Sequence, residues 1–397
     1  MSGIADAFQP VPKAATEAVM VASSAIPDEA VKVAGYEFNQ GVDYDQLFAS
    51  FGTTGFQACH FSDAVRIINK MRAWRLSDEP IKEDDYDEFA DPEFRKNYRA
   101  KVYLAYTSNM ISSGVRETIR FLVEHKMVDV IVSSAGGVEE DIIKTFAHMY
   151  LGRFQMDDRQ LRREGLNRLG NLIVPNDNYV KFEEWVNPIL DKMVDEQKAT
   201  GVVWTPSSMI RRLGLELNDD SSVLTWAARN DIPIFCPALT DGSLGDMIYF
   251  HNYRKPGLVV DLVGDIRKIN DSTVYARKTG MIVIGGGVVK HHTLNANLMR
   301  NGADWAVFLN TAQEFDGSDA GARPEEALSW GKVRLDADYV KIVGDASFFF
   351  PLLVSQTFAK DFKKKADEEN TEKKAPPAPG AAVPGVHASP RRAGPDE

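Results

Sequence analysis

Apolar runs of strand length alternate with stretches of helical period through the middle of the chain. Strands are predicted at 101–106 (KVYLAY), 128–132 (VDVIV), 201–204 (GVVW) and 232–236 (IPIFC). Further strands are predicted at 258–263, 281–284, 305–309 and 339–343. Nearly every position in these runs is apolar, the pattern of strands buried on both faces of a parallel sheet. Between them, Ile111, Val115, Ile119 and Leu122 recur at helical spacing. Phe182, Trp185, Val186, Ile189, Leu190 and Met193 do the same, each set giving one apolar helix face. Strand, loop and helix repeated in this way predict an α/β fold: a doubly wound, mostly parallel sheet with helices on both faces. No part of 40–360 has a linker-like composition or a fixed repeat, so a single large domain is expected.

The ends read differently. Residues 1–34 are poor in large apolar side chains and predict a loosely held arm with room for a short helix. From Lys360 the chain becomes charged and then proline-rich without aromatics, so 360–397 predicts a disordered, solvated tail. The expected domain is therefore 35–359.

Composition narrows the function classes. With 46 basic and 57 acidic residues the formal net charge is −11, which argues against a nucleic-acid binder and against a protein held on anionic lipid. The tail carries eight basic and seven acidic residues, so the acid excess belongs to the body. Two cysteines, Cys59 and Cys236, exclude a disulfide scaffold and a four-thiolate zinc site. No metal is expected. The N-terminus lacks the basic start and apolar run of a signal peptide, and no run of 18 apolar residues occurs. The expected address is cytoplasmic.

In an open parallel sheet, ligands bind beyond the carboxyl ends of the strands. There the chain places Thr107-Ser108-Asn109, Ser133-Ser134-Ala135-Gly136-Gly137, the segment 237–246, Gly285-Gly286-Gly287, Asn310-Thr311-Ala312 and Gly344-Asp345-Ala346. Small residues let a ligand approach the backbone, and helix N-termini offer free N–H groups. The pattern suits a nucleotide crevice, although each piece alone also reads as an ordinary strand-to-helix turn. The dinucleotide fingerprint is incomplete, because Lys290 stands where its last glycine belongs, and no Walker A loop occurs. A nucleotide would need a non-standard, Rossmann-like variant. Glu139-Glu140-Asp141 also fits the first turn of a helix on macrodipole grounds alone.

The segment 314–332, EFDGSDAGARPEEALSWGK, fails as a calcium loop because Ala320 and Ala327 occupy ligand positions. Its Lys332, beside Trp330 and near carboxylates, is either a candidate amine nucleophile or a surface lysine on a turn. His291 is either a base near a ligand amine or a capping histidine. His291 and His292 do not share a helix face, so they make a poor zinc pair.

Taken together, FGTTGFQA (51–58), YTSNMISSGVRETIR (106–120), SAGGVEED (134–141), PALTDGSLGDM (237–247), the segments 285–304 and 310–332, and DAS (345–347) resemble deoxyhypusine synthases of the eukaryotic type. The resemblance runs from about Gly35 to Phe358. It implies NAD-dependent oxidative cleavage of spermidine. The 4-aminobutyl group would pass through an imine on Lys332 to a lysine of the hypusine-bearing translation initiation factor. It also implies NAD contacts at Ser108, Asn109, Met110, Ile111, Ser112, Ser134, Ala135, Gly136, Glu140, Asp241, Gly286, Thr311, Ala312, Asp345 and Ala346. Polyamine contacts are implied at Glu139, Glu140, Asp246, His291, Asn295, Gly317, Ser318, Asp319, Glu326, Trp330 and Lys332, with His291 handling protons. Members are homotetramers with active sites shared between subunits, and an N-terminal segment can cover a neighbour's entrance. Ser133-Ser134 stand where some relatives carry threonines, and the tail has no counterpart role. Homospermidine synthase, which hands the same group to putrescine, is the alternative. A catalytically dead paralogue is opposed by the presence of Lys332, and a sirtuin-like deacylase by the lack of four cysteines.

Overall fold

The computed structural model describes residues 10–82, 87–360 and 362. The proline-rich part of the predicted tail lies outside the described residues, as do residues 1–9 of the predicted arm. Residues 10–34 contain one short helix, Lys13–Val19, and bury no side chain.

Among the described residues nine strands form: β1 (Lys101–Tyr106), β2 (Val130–Ser133), β3 (Tyr150–Leu151), β4 (Leu166–Leu169), β5 (Leu172–Pro175), β6 (Ile234–Phe235), β7 (Thr279–Ile284), β8 (Ala303–Asn310) and β9 (Val333–Val343). Six of them make one sheet in the order β6-β2-β1-β7-β8-β9, and every pairing is parallel. Chain order runs outward from β1 to one edge, then returns to β1 and runs to the other. The fold is α/β, one domain built on this parallel sheet.

The near-absence of polar residues in the strands is explained by where they point. Val102, Leu104 and Tyr106 of β1 join one apolar cluster, and Tyr103 and Ala105 join a second. Alternate residues of β7 and β8 divide in the same way, as period-2 geometry requires when both faces are covered. The larger cluster takes in the helices Phe56–Ala73, Val115–Glu124, Ala135–Phe146 and Asp177–Thr200; the smaller includes Gly287–Leu298.

Two strand predictions do not hold. Residues 201–204 and 258–263 contribute only an isolated bridge between Trp204 and Val260, and Leu262 begins the helix Leu262–Val274. Both are short apolar runs that cap the core at one point and find no second partner, which periodicity alone cannot distinguish from a strand. The three-stranded antiparallel sheet β3-β5-β4 was not predicted; its strands are short and partly polar. The 128–132 and 232–236 runs shrink to Val130–Ser133 and Ile234–Phe235. Glu139, Glu140 and Asp141 lie beyond the first turn of their helix, which starts at Ala135, so the macrodipole explanation falls away. Asp141 is instead a buried fastener: it accepts from Arg116 Nε at 2.7 Å, Ser222 Oγ at 2.6 Å and the N–H of Leu224 at 2.9 Å.

Candidate active site

The loops at the carboxyl edge of the sheet are sewn to one another. The Ser108 N–H donates to Ser134 Oγ at 3.0 Å, Gly285 N–H to the Leu309 carbonyl at 2.8 Å, and Gly344 N–H to the Asn310 carbonyl at 3.0 Å. Glycines make this closeness possible. A Cβ on Gly136 would stand 2.8 Å from Ser108 Cβ, and one on Gly286 only 2.5 Å from Ala320 Cβ. Gly285 adopts φ +97°, a conformation other residues rarely reach. The helices Ala135–Phe146 and Gly287–Leu298 both start at this edge, and neither has a side-chain cap at its N-terminus. Uncapped N–H groups and glycine-lined approaches fit the phosphates of a dinucleotide. Asp345 and Asn109 already have local partners: Asp345 caps its own helix through Ser347, and Asn109 Oδ1 accepts from Thr107.

Beside this edge sits an acid group. Glu139 is buried and accepts from the Leu244 N–H at 2.6 Å. Burial pushes its carboxyl above the usual range, and the nearby charges of Asp246 and Asp241 push in the same direction. Glu140 accepts from Ser112 Oγ. Burial raises its pKa to about 7, helped by Glu139. Gly242 passes close over the Glu139 carboxylate, since a Cβ there would stand 2.6 Å from one of its oxygens.

A second group lines a cleft of about 340 Å³ over the β8 face. Lys332, Asp319, Glu326, Trp330, Asn295, Gly317 and His291 all border it. Lys332 is 7% exposed, which removes the surface-turn alternative, and its Nζ lies 3.2 Å from His291 Nε2. The same Nζ is 5.5 Å from the Trp330 ring centre, within cation–π reach. The Gly331 turn, at φ +69°, folds Lys332 back so that its N–H donates to the Ala327 carbonyl and its carbonyl accepts from Ala303. His291 and Asn295 reach the cleft from one face of the helix Gly287–Leu298, as i, i+4 spacing allows. Asp319 Oδ2 is buried without a hydrogen-bond partner, an acceptor in need of a donor. The donor set is carboxylates, an imidazole and an indole around an amine, and it suits a cationic aliphatic ligand.

The predicted polyamine residues therefore fall into two groups. His291, Asn295, Gly317, Asp319, Glu326, Trp330 and Lys332 share the cleft, with Ser318 exposed on the loop between Gly317 and Asp319. Glu139, Glu140 and Asp246 do not line that cleft; Glu139 instead feels the charges of Asp246 and Asp241, and among the described residues no hydrogen bond or ion pair joins the two groups. Of the other predicted nucleotide residues, Met110, Ile111, Ser112, Ala135 and Ala346 are buried near the sheet edge, while Thr311 is exposed and the Ala312 N–H donates to Asn310.

Sequence reasoning missed Lys290. It is fully buried, lies 4.9 Å from the Phe308 ring centre and donates to the Ala322 carbonyl at 2.8 Å. Burial lowers its pKa to about 8. The available signal was a lysine within an otherwise apolar and small helix start, the place where the dinucleotide pattern breaks. Among the described residues no helix is long and apolar enough to cross a membrane.

Comparison with known proteins agrees with this arrangement. Residues 46–357 match the deoxyhypusine synthase family. A Dictyostelium discoideum protein assigned to that enzyme is 60% identical over 338 residues, 85% of this chain and 89% of its own. The deoxyhypusine synthase of Senecio vernalis is 57% identical over 347 residues, 87% of this chain and 94% of its own. A crystal structure from Entamoeba histolytica assigned to the same enzyme superposes with a TM-score of 0.59 at 36% identity, covering 82% of this chain and 97% of that one. With a buried amine, an imidazole and acceptors for a cation in one cleft, and with relatives this similar over most of both chains, the protein belongs to the deoxyhypusine synthase family.

Proposed function

We infer that the chain is the aminobutyl transferase its family name describes, acting on spermidine and on a lysine of the hypusine-bearing translation initiation factor. The observation that carries this is the buried Lys332 amine, 3.2 Å from His291 Nε2 and covered by Trp330. When bound, NAD supplies the hydride acceptor that turns the carbon beside the secondary amine of spermidine into an electrophilic imine carbon, and later returns the hydride. Ser108, Asn109, Met110, Ile111, Ser112, Ser134, Ala135, Gly136, Glu140, Asp241, Gly286, Thr311, Ala312, Asp345 and Ala346 would hold it.

Lys332 attacks the imine carbon as a free amine, and His291 is placed to take its proton. The proton passes to the departing nitrogen, diaminopropane leaves, and the butylamine arm stays on Lys332 as an imine. The acceptor lysine then displaces Lys332 by the same exchange. Asp319, Glu326, Asp246, Glu139 and Glu140 fix the ammonium groups, Asn295, Gly317 and Ser318 border the path, and Trp330 walls the methylene chain. Bulk water at the imine would hydrolyse it, so a buried lysine suits the chemistry.

The strand order, third-second-first-fourth-fifth-sixth among the main-sheet strands, supports a doubly wound Rossmann-like sheet with its crevice between β1 and β7. That Glu139, Glu140 and Asp246 do not line the cleft supports a homotetramer whose sites are completed across subunits. The exposed residues 10–34 suit an arm that reaches a neighbouring site, ahead of a catalytic domain at 35–359 and a tail at 360–397. A cytoplasmic address, without nucleic acid or membrane, fits a protein-modifying enzyme. The putrescine-directed alternative is not favoured, because the relatives named above carry the deoxyhypusine synthase assignment. Incubation with NAD, labelled spermidine, the acceptor factor and putrescine tests the proposal: label on the factor is expected, and label in homospermidine alone would contradict it.

A further inference from the structure

Three lysines spend their ammonium groups on main-chain carbonyls of the segments that build the site. Lys290, 0% exposed, donates to the carbonyls of Asp319 and Ala322. Lys341, 7% exposed, donates to Ala312 at 2.9 Å and Gly321 at 2.6 Å. Lys144 donates to Ile111, Ser112 and Ser113 at 2.9, 2.9 and 3.0 Å. Among the described residues none of the three has a carboxylate within ion-pair distance. Burying an ammonium against neutral carbonyls is costly, and burial depresses all three lysines below their usual range. A methionine would fill the same space at less cost, so the carbonyl geometry itself is the feature to explain.

The loop held by Lys290 and Lys341 has little internal support. Its own main-chain bonds are short-range turns, Gly317 to Glu314 and Gly321 to Ser318. Gly321 packs so closely that a Cβ would stand 1.7 Å from the Gln313 carbonyl oxygen. That loop carries Asp319, whose Oδ2 is buried without a partner at the cleft. An unpartnered buried oxygen tends to turn away or draw in water unless its backbone is fixed.

We propose that Lys290, at the cleft wall, and Lys341 are positioning residues that fix the 312–322 loop through its carbonyls and aim the Asp319 carboxylate into the cleft, while Lys144 fixes the 111–113 backbone of the nucleotide half. The inference rests on the proposed function. Each lysine then controls one substrate, giving separable kinetics.

Full-length chain carrying Lys290→Met, Lys341→Met or Lys144→Met is assayed with NAD, spermidine and the acceptor factor. Lys290→Met and Lys341→Met are expected to raise KM for spermidine about tenfold or more, with kcat within about threefold and KM for NAD unmoved. Lys144→Met is expected to do the reverse. Lys290→Met placed on Asp319→Asn is expected to add less than about twofold, because both changes disable one acceptor. Effects that multiply, or both KM values moving together in every variant, would overturn the proposal. Should Lys290→Met fail to fold, Lys341→Met and Lys290→Gln carry the same cycle with the same criteria. Wild-type chain that fails to take label from spermidine onto Lys332 overturns the proposed function; normal labelling with multiplying effects overturns only this inference.

Discussion

Lys332, Lys290 and Lys341 are all buried lysines with different partners, and the partners decide what each can do. Lys332 faces an imidazole and an indole in the cleft, whereas Lys290, which also borders the cleft, and Lys341 give their ammonium groups to main-chain carbonyls. Lys332→Arg keeps the charge but presents a guanidinium that stays protonated. It is therefore expected to abolish aminobutyl transfer, read as loss of label on the acceptor, while leaving the thermal midpoint nearly unchanged. Glu140 gives a pH signature. Its folded pKa is about 7 against an ordinary 4.5, so the carboxylate that would hold a cation is lost as pH falls through about 7. Activity at subsaturating spermidine should rise with pH through that region, and Glu140→Gln should flatten the rise. The same shift means the folded chain binds a proton that the unfolded chain releases, so this group's contribution to stability declines between about pH 4.5 and 7. Asp141 is structural: Asp141→Ala would leave the buried Arg116 with only a 3.6 Å contact to the exposed Glu117 carboxylate, and should cost about 3 kcal/mol in chemical denaturation.

At the scale of elements, the sheet was legible because its strands are apolar on both faces, and both faces prove to be covered. The two false strands were equally apolar but make only one bridge, and no local pattern records that a neighbour is missing. Residue types in the site were legible as a distinctive segment, since Trp330, Gly331 and Lys332 sit together in the chain. Burial of Lys332 was not, because the residues that hold it in, Ala303, Ala327 and His291, belong to other elements. The three carbonyl-bound lysines were hidden for the same reason: each partner lies 20 or more residues away. The 312–322 loop offers the element's own test. Gly321→Ala drives a Cβ into a backbone carbonyl. It should cost about 1–3 kcal/mol and weaken spermidine binding more than NAD binding, as calorimetry on each ligand would show.

Across the whole molecule, the acid group around Glu139 does not line the cleft around Lys332 in the same chain. If copies complete each other's sites, a mixture of Lys332→Ala chains and Asp246→Ala chains should recover activity that neither variant has alone. Recovery should follow subunit exchange and reach about a quarter of wild type, since roughly that share of sites pairs two intact halves. On the proposed function, a handful of the body's excess carboxylates would face a ligand with several positive charges. The most direct measurement is intact and peptide mass of the purified chain after incubation with NAD and labelled spermidine, with reduction to trap any imine. A single aminobutyl adduct on the peptide carrying Lys332, absent without NAD and transferable to the acceptor factor, is the predicted result. An adduct on another residue, or label reaching the factor with Lys332 replaced by alanine, would contradict the account.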